Sequence, residues 1–356
     1  MSLVATVKNE SSSIGAWLRA IESQTRLPDE TIIVDAGSTD GCWEHLCMWT
    51  PMFPVLVLQV AGVNISQGRN AAIERASGII IAVTDAGTVA EPEWLERLVE
   101  SLRDERVDVS AGFFRPQLDS YWARGLAAAT LPDSSEIDIA TFQPSSRSVA
   151  FRRTWWEAGI RYPEWLDFCE DLVWDLALRR AGARFHFADG AVVTYHVRPT
   201  LGEYLRQYFR YARGDGKAGL FARRHALRYF AYSALLLALA RGRHWECMVL
   251  AGIGALYVRR PVERLLARDR SMGRSMRDTA LTVPLVLALR AAGDLAKIAG
   301  YPVGLTWRVR VMGGPCWRAT WRRVNPDGKR FLPSTMSRGT QQPSSSPACE
   351  SPRDST

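Results

Sequence analysis

None of the six cysteines (Cys42, Cys47, Cys169, Cys247, Cys316, Cys349) sits in a C-x-x-C pair or another metal-ligand spacing. That removes zinc ribbons and dithiol redox chemistry and leaves free thiols in a reducing compartment as the expectation. No G-x-G-x-x-G follows the first apolar segment, which argues against a dehydrogenase. Arg213-Gly214-Asp215-Gly216-Lys217 lacks the spacing of a phosphate loop. Zinc-finger, recognition-helix and aromatic RNA-binding patterns are missing, so nucleic acid is not an expected partner. No apolar run reaches the ~20 residues of a perpendicular membrane span. The chain opens on a polar lead and a strand rather than a basic segment with a long apolar core, so no signal peptide is expected.

Charge is present but unevenly spread. Residues 1–200 carry 18 Lys/Arg against 27 Asp/Glu, and residues 201–356 carry 27 against 10, for the net +8 of the 356-residue chain. An acidic half followed by a basic, apolar half points to a catalytic region joined to one that meets anionic lipid headgroups.

Short apolar segments rich in β-branched residues predict strands at Leu3–Val7, Thr31–Val34, Val55–Val60 and Ile79–Thr84, with later strands at Val107–Phe114, Ser148–Phe151 and Ala191–Val197. Between them, helices are expected over Ser12–Ser23, Arg69–Ala76, Glu91–Arg103 and Phe168–Ala181, the last with Leu172, Leu176 and Ala177 inward. Alternation of this kind predicts a largely parallel α/β sheet whose ligands lie beyond the carboxyl ends of its strands. Beyond Tyr204, apolar runs at Ala226–Ala240, Met248–Val258, Thr279–Leu289 and Ile298–Leu305 have arginines at their ends, as short hairpin or interfacial helices do. Core helices of a soluble domain would read the same way. From Asn325 the Ser/Pro/Thr/Gly-rich composition predicts disorder.

Polar groups cluster where such a sheet binds ligand. Lys8-Asn9-Glu10 follows the first strand, and Asp35-Ala36-Gly37-Ser38-Thr39-Asp40-Gly41 ends the second. Asp35 could accept from a nucleobase or ribose, and the glycines let the backbone bend around a ligand, although these residues also form good turns. Asp85 ends the fourth strand, where a carboxylate can hold a divalent cation on a diphosphate or cap the next helix. Glu170-Asp171 opens a helix. Adjacent carboxylates cannot share a helix face, so one can face a site while the other braces the scaffold. Gln207 and Arg210, three apart, share a helix face, and a guanidinium there could clamp a diphosphate.

In this order, Lys8-Asn9-Glu10, Val34-Asp35-x-Gly-Ser-Thr-Asp-Gly41, Gly68-Arg69-Asn70-Ala71, Thr84-Asp85-Ala86 and Glu170-Asp171 resemble glycosyltransferase family 2, over residues 3–217. The resemblance implies a GT-A fold, a nucleotide-sugar-binding sheet flanked by helices, here followed by a helical membrane-associated region. It implies Glu10, Asp35, Gly37 and Asp40 around the nucleoside, with Arg69 also on the donor side. Asp85 then stands at the D-x-D motif, beside diphosphate and metal, and Asp171 is the base of the Glu-Asp motif. Glu170, Gln207 and Arg210 join Asp171 as candidate catalytic residues, because Gln207-x-x-Arg210-Tyr211 is similar to the Q-x-x-R-W motif of the membrane-bound branch.

Two departures qualify this. Gly87 replaces the third D-x-D residue, and Tyr211 replaces Trp. A divalent cation, Mn²⁺ or Mg²⁺, would then rest on Asp85, with His196 as a replacement ligand suited to Mn²⁺. The expected enzyme is an inverting glycosyltransferase using a nucleotide-diphosphate sugar donor and a glycan or lipid-linked acceptor at the cytoplasmic face of the cell membrane. Its domains are expected at 1–217, 218–310 and 311–356. The rivals are sugar transfer to a polyprenyl phosphate, and a silent membrane scaffold.

Overall fold

The computed structural model describes residues 1–312 and 348–350. The expected tail therefore lies largely outside the described residues. The described chain forms two compact units, Met1–Arg115 with Asp138–Tyr195 and residues 348–350, and Pro116–Ile137 with residues 196–312.

The first unit is built on one sheet. β1 (Ser2–Val7), β2 (Glu30–Asp35), β3 (Val55–Gln59) and β4 (Ile80–Val83) are mutually parallel, with β1 between β2 and β4. β5 (Thr88–Ala90), β6 (Val109–Pro116), β7 (Val149–Arg152), β8 (Phe185–Tyr195) and β9 (Ala348–Glu350) complete the order β5-β8-β6-β7-β4-β1-β2-β3-β9. β7 runs antiparallel to both β4 and β6, β8 to β5, and β9 to β3. The parallel sheet expected from strand–helix alternation is therefore only its central part.

β1 is buried on both faces, as a covered parallel strand must be. Leu3, Ala5 and Val7 point to one layer, with Ile14, Trp17 and Ile21 of α1 (Ser11–Glu22) and Trp94, Leu95 and Leu98 of α4 (Trp94–Glu100). The smaller α2 (Cys42–Cys47) joins this side through Cys42 and Leu46. Val4 points to the other layer, with Ala72 and Ile73 of α3 (Ile65–Arg75), Trp156 of α6 (Arg153–Glu157), and Trp174 and Leu178 of α7 (Glu170–Arg180).

On α7 the face differs from expectation. Val173, Trp174 and Leu178 are buried, while Leu172, Leu176 and Ala177 are only half-buried. Trp174 removes more apolar area from water than a leucine can, and that rotation takes Asp175 inside with it. Cys42, Cys169 and Cys247 are free thiols, whereas Cys47 is disulfide-bonded, against expectation. Such a bridge depends on three-dimensional approach, which spacing along the chain does not report.

The second unit is helical. It comprises α5 (Tyr121–Thr130), α8 (Leu201–Ala218), α9 (Ala222–Arg241), α10 (His244–Ser271) and α11 (Met276–Met312). The helices are longer than the apolar runs. α10 continues through Pro261, and α11 joins two expected segments into 37 residues across Pro284 and Pro302. Packing of α11 against α8 and α5 supplies the contacts that offset the missing proline hydrogen bonds. α11 is the one helix among the described residues long and apolar enough to cross a membrane by length and composition.

Candidate active site

Strand order reverses at β1. The chain proceeds from β1 to β2 and β3 on one side, then returns to place β4 on the other. Ligands of open α/β sheets sit at such a reversal, outside the carboxyl ends. There β1 runs into Lys8-Asn9-Glu10 and β4 into Thr84-Asp85.

The β1 and β2 loops are laced together. Asn9, at φ +55°, donates its N–H to Ser38 Oγ and accepts the Thr39 N–H at Oδ1, both at 2.9 Å. Asp35 is buried, and its Oδ1 accepts the N–H groups of Gly37 and Ser38 at 2.7 Å each. Gly37 has φ +84°, and a Cβ there would press on Ala61 at 3.1 Å. Asp40 accepts from Ser11 N at 2.9 Å and Cys42 N at 3.1 Å, joining the starts of α1 and α2. The Ser11 N–H holds its carboxyl below the usual range. Asp35 and Asp40 thus shape the loop. Glu10, half-buried, accepts from Ser13 Oγ at 2.7 Å and lies within 4 Å of where a Cβ on Gly87 would stand.

Arg69 is the centre of the second group. The Asn64–Gln67 capping box starts α3. Gly68 then lets α3 settle on β1, since a Cβ there would fall 2.4 Å from Thr6 Cγ2. Asn70 fixes the 162–164 segment, donating to Tyr162 O at 2.9 Å and Glu164 Oε1 at 3.0 Å and accepting from Tyr162 N at 3.1 Å. Between them Arg69, 2% exposed, donates to Glu170 Oε1 at 2.7 Å and to Asp85 Oδ1 at 2.8 Å. Burial opposes its charge, but Asp85 and then Glu170 outweigh it and hold the guanidinium protonated.

The two acids of the Glu-Asp pair separate as adjacent helix positions should. Glu170 is buried, and burial followed by the neighbouring Asp171 charge pushes its carboxyl up to about 7, with Arg69 pulling the other way. Asp171 is only half-buried and accepts from Leu172 N at 2.8 Å, so of the two it keeps a carboxylate open to solvent.

Several participants were not singled out from the sequence. Arg147 Nε stands 3.8 Å from Asp85 Oδ2, and its guanidinium lies 4.9 Å from the Tyr195 ring centre. Tyr162 stacks on Trp174 at 4.6 Å and lies under the Arg69 guanidinium at 5.3 Å. Asp175 is 1% exposed, with no hydrogen-bond partner at Oδ2. Burial, then Asp171, raises its carboxyl well above the ordinary range. The Asp171–Asp175 four-residue spacing was the available signal.

The structure brings together Asp85, Arg69 and Glu170, with Asp171 adjoining Glu170 and Glu10 close to Gly87. His196, Gln207 and Arg210 belong to the second unit. There His196 and Arg210 are exposed, and Gln207 donates to Tyr211 OH at 2.7 Å. Among the described residues, no group of three or more His, Cys, Asp or Glu is placed to hold a metal. A groove of about 400 Å³ runs between α1 and α2, lined in part by Ser12, Arg19, His45 and Trp49, and none of the candidate residues lines it.

Residues 2–155 match the model of "Glycosyl transferase family 2". Glycosyltransferase AglE of Haloferax volcanii is 28% identical over 249 residues, 67% of this chain and 80% of AglE. O-antigen chain rhamnosyltransferase RfbN of Salmonella typhimurium is 23% identical, over 59% of this chain and 70% of RfbN. Among solved structures, mannosyltransferase PcManGT from Pyrobaculum calidifontis, in complex with GDP-Man and Mn²⁺, aligns with a TM-score of 0.51 at 18% identity, over 83% of this chain and 86% of that one. That likeness establishes a GT-A-like sheet. With the family match over residues 2–155 and the named glycosyltransferases beside it, the chain is a glycosyltransferase whose first 155 residues match glycosyltransferase family 2.

Proposed function

We propose that this glycosyltransferase moves a sugar, with inversion at the anomeric carbon, from a nucleoside diphosphate carrier to a glycan or lipid-linked acceptor at the cytoplasmic face of a membrane. The observation that carries the reading is the Arg69 bridge. One buried guanidinium holds Asp85, beyond β4, and Glu170, beside Asp171. A diphosphate-side carboxylate and a candidate base are thus fixed to one scaffold.

The Asp171 carboxylate takes the acceptor hydroxyl proton as that oxygen attacks, a contribution of about 10²–10⁴-fold. Glu170 is committed to Arg69, so it positions its neighbour. Glu10, Asp35, Gly37 and Asp40 form the nucleoside end, with Asp35 and Asp40 acting through loop shape. Gln207 and Arg210 are assigned to the diphosphate, where a planar guanidinium suits the charge on the leaving group. In domain terms, 1–217 is catalytic, 218–310 meets membrane lipids, and 311–356 is a tail.

A divalent cation fits these residues only in part. Asp85 is one carboxylate with arginines near both oxygens, and Gly87 offers no ligand. Mg²⁺ and Mn²⁺ sites built on one carboxylate, water and substrate phosphates match this poverty of protein ligands. Asp85 would hold such an ion, which when bound neutralises diphosphate charge. PcManGT, solved with GDP-Man and Mn²⁺, is a precedent for that pairing.

The test offers purified protein a panel of nucleotide sugars, with and without Mn²⁺ or Mg²⁺, and measures released nucleoside diphosphate. Release from one donor, lost in Asp171→Asn, supports the reading. Binding without turnover for every donor and acceptor would make the protein a silent scaffold. The exposed apolar helices of the second unit favour one acceptor variant, a polyprenyl phosphate. An already ionised phosphate needs no base, so transfer to it would survive in Asp171→Asn.

A further inference from the structure

Composition selects α11 as the membrane helix, but exposure selects another segment. α11 keeps Asp294 and Arg308 buried and packs on α8 and α5, so it behaves as the core helix of its unit. On α9, by contrast, Leu235, Leu236, Leu237 and Leu239 are all exposed. At 100° per residue these positions point around most of the helix circumference. Across the two-residue turn Gly242–Arg243, α10 exposes Trp245, Met248, Ile253 and Leu256. So short a turn makes the two helices antiparallel neighbours.

Two polar groups along the hairpin, Arg228 and Tyr257, are turned inward. Arg228 Nε donates to Asp294 Oδ1 at 2.8 Å, and Tyr257 OH donates to Asp294 Oδ2 at 2.7 Å. At the tip, Glu246 lies 3.3 Å from Arg243 and 4.0 Å from Arg241, offsetting their charge. The open end differs. Arg223, Arg224, Arg259 and Arg260 are exposed there; Arg259 pairs with Glu263 at 2.7 Å, and the charge of Arg260 is felt by Glu136. The larger charge excess therefore sits at the open end of an apolar band, and one carboxylate partly offsets the two arginines at the tip.

We propose that the α9–α10 hairpin inserts tip-first into a bilayer without crossing it, with the arginines at its open end on anionic headgroups. The inference rests on the membrane side of the proposed function and specifies which residues enter and how far. Leu227–Ala240 is about 21 Å of helix at 1.5 Å per residue, against ~30 Å of hydrocarbon. The tip thus stops roughly two-thirds of the way through, where its arginines are ion-paired or can extend toward the far headgroups. Lying flat in the interface fits less well, because the exposed leucines of α9 leave no polar face to point at water.

The test floats the full-length protein on vesicles of phosphatidylcholine, with and without phosphatidylglycerol. The vesicles are then washed in salt and in alkaline carbonate. Insertion predicts retention through both washes and tighter retention with phosphatidylglycerol. It also predicts quenching of Trp245, identified by difference from Trp245→Phe, by lipids brominated deep in the acyl chain. The double variant Leu236→Glu/Leu237→Glu should lose about tenfold or more of the retained fraction. Replacing the four open-end arginines by Gln should abolish only the phosphatidylglycerol effect. Release by salt, quenching only by shallow bromines, or a lipid-free dimer that hides Trp245 from soluble quenchers would each overturn insertion.

Nucleotide release in detergent is measured in parallel. Lost flotation of the wild type with intact release rejects the hairpin alone, and intact flotation without release rejects the reaction alone. Should the Glu variant lose both through misfolding, the Gln variant and the bromine depth profile decide.

Discussion

The two units treat charge in opposite ways. The first buries aliphatic and aromatic residues in two layers around its sheet, and its densest buried ionic group is the one around Arg69. The second buries ionic pairs in its helical interior, with Arg124 held to Asp269 at 2.8 and 3.0 Å and Arg228 to Asp294, while it exposes leucines. Water rewards the first arrangement and penalises the second. In the first unit a buried charge is therefore a reason to propose chemistry there, since perturbed ionisable groups often cluster at functional sites. In the second, buried ion pairs beneath exposed leucines are the pattern on which the proposed bilayer seat rests.

The strongest way to break that comparison is to remove its central cation. Arg69→Met leaves Glu170 buried without its counter-charge and should cost about 3–5 kcal/mol of stability, read from denaturant unfolding. Adding Glu170→Gln should return part of that loss. Failure of the second change to help would mean that Arg69 contributes packing rather than charge.

Next in size is Asp171→Asn, which should slow transfer by about 10²–10⁴-fold and leave nucleotide affinity almost unchanged, since a base acts in the transition state. Retention of more than a tenth of the wild-type rate would remove Asp171 from that role. A smaller effect is expected from Arg210→Ala, with Arg210→Lys recovering part of the rate because it keeps charge but loses the planar fork. Equal rates for the Lys variant and the native chain would show that only a diffuse positive field matters.

The parallel strands were legible because β-branched runs such as Leu3–Val7 and Thr31–Val34 are bounded by polar turns, and the structure shows β1 and β2 there. The family was legible in motif order, and the geometry now gives Gly68-Arg69-Asn70 a reason, one residue each for approach, charge and backbone anchoring. β8 was read as starting six residues late and ending two late, because Phe185-His186-Phe187 lies outside the apolar run of Ala191–Val197. Arg147 and Tyr162 join the site from separate loops, which no local pattern signals. α10 was cut at Arg259–Pro261, because tertiary packing that tolerates an interior proline leaves no mark in local composition, and α11 was cut where the polar stretch from Arg290 to Lys297 interrupts its apolar runs.

The least expected effect, and the most specific, concerns Asp175. It is the acid that Trp174 carries inside, and Oδ2 has no hydrogen-bond partner there. Burial first and Asp171 second raise its carboxyl well above 3.8. A carboxyl raised on folding binds more protons in the native chain than in the unfolded one. Its contribution to stability is thus least unfavourable at low pH and declines as pH climbs from about 4 toward its native value. Asp175→Asn keeps the shape and removes the charge. It should stabilise the protein by about 1 kcal/mol at neutral pH and lose that advantage in acid, where both side chains are neutral. Thermal unfolding of the two proteins across pH 4 to 8 measures it. If the curves run parallel, Asp175 does not titrate between the two states. If the Asn variant is instead the weaker protein at neutral pH, the carboxylate is stabilising there, and the first unit keeps a second buried charge for a reason beyond the Arg69 group.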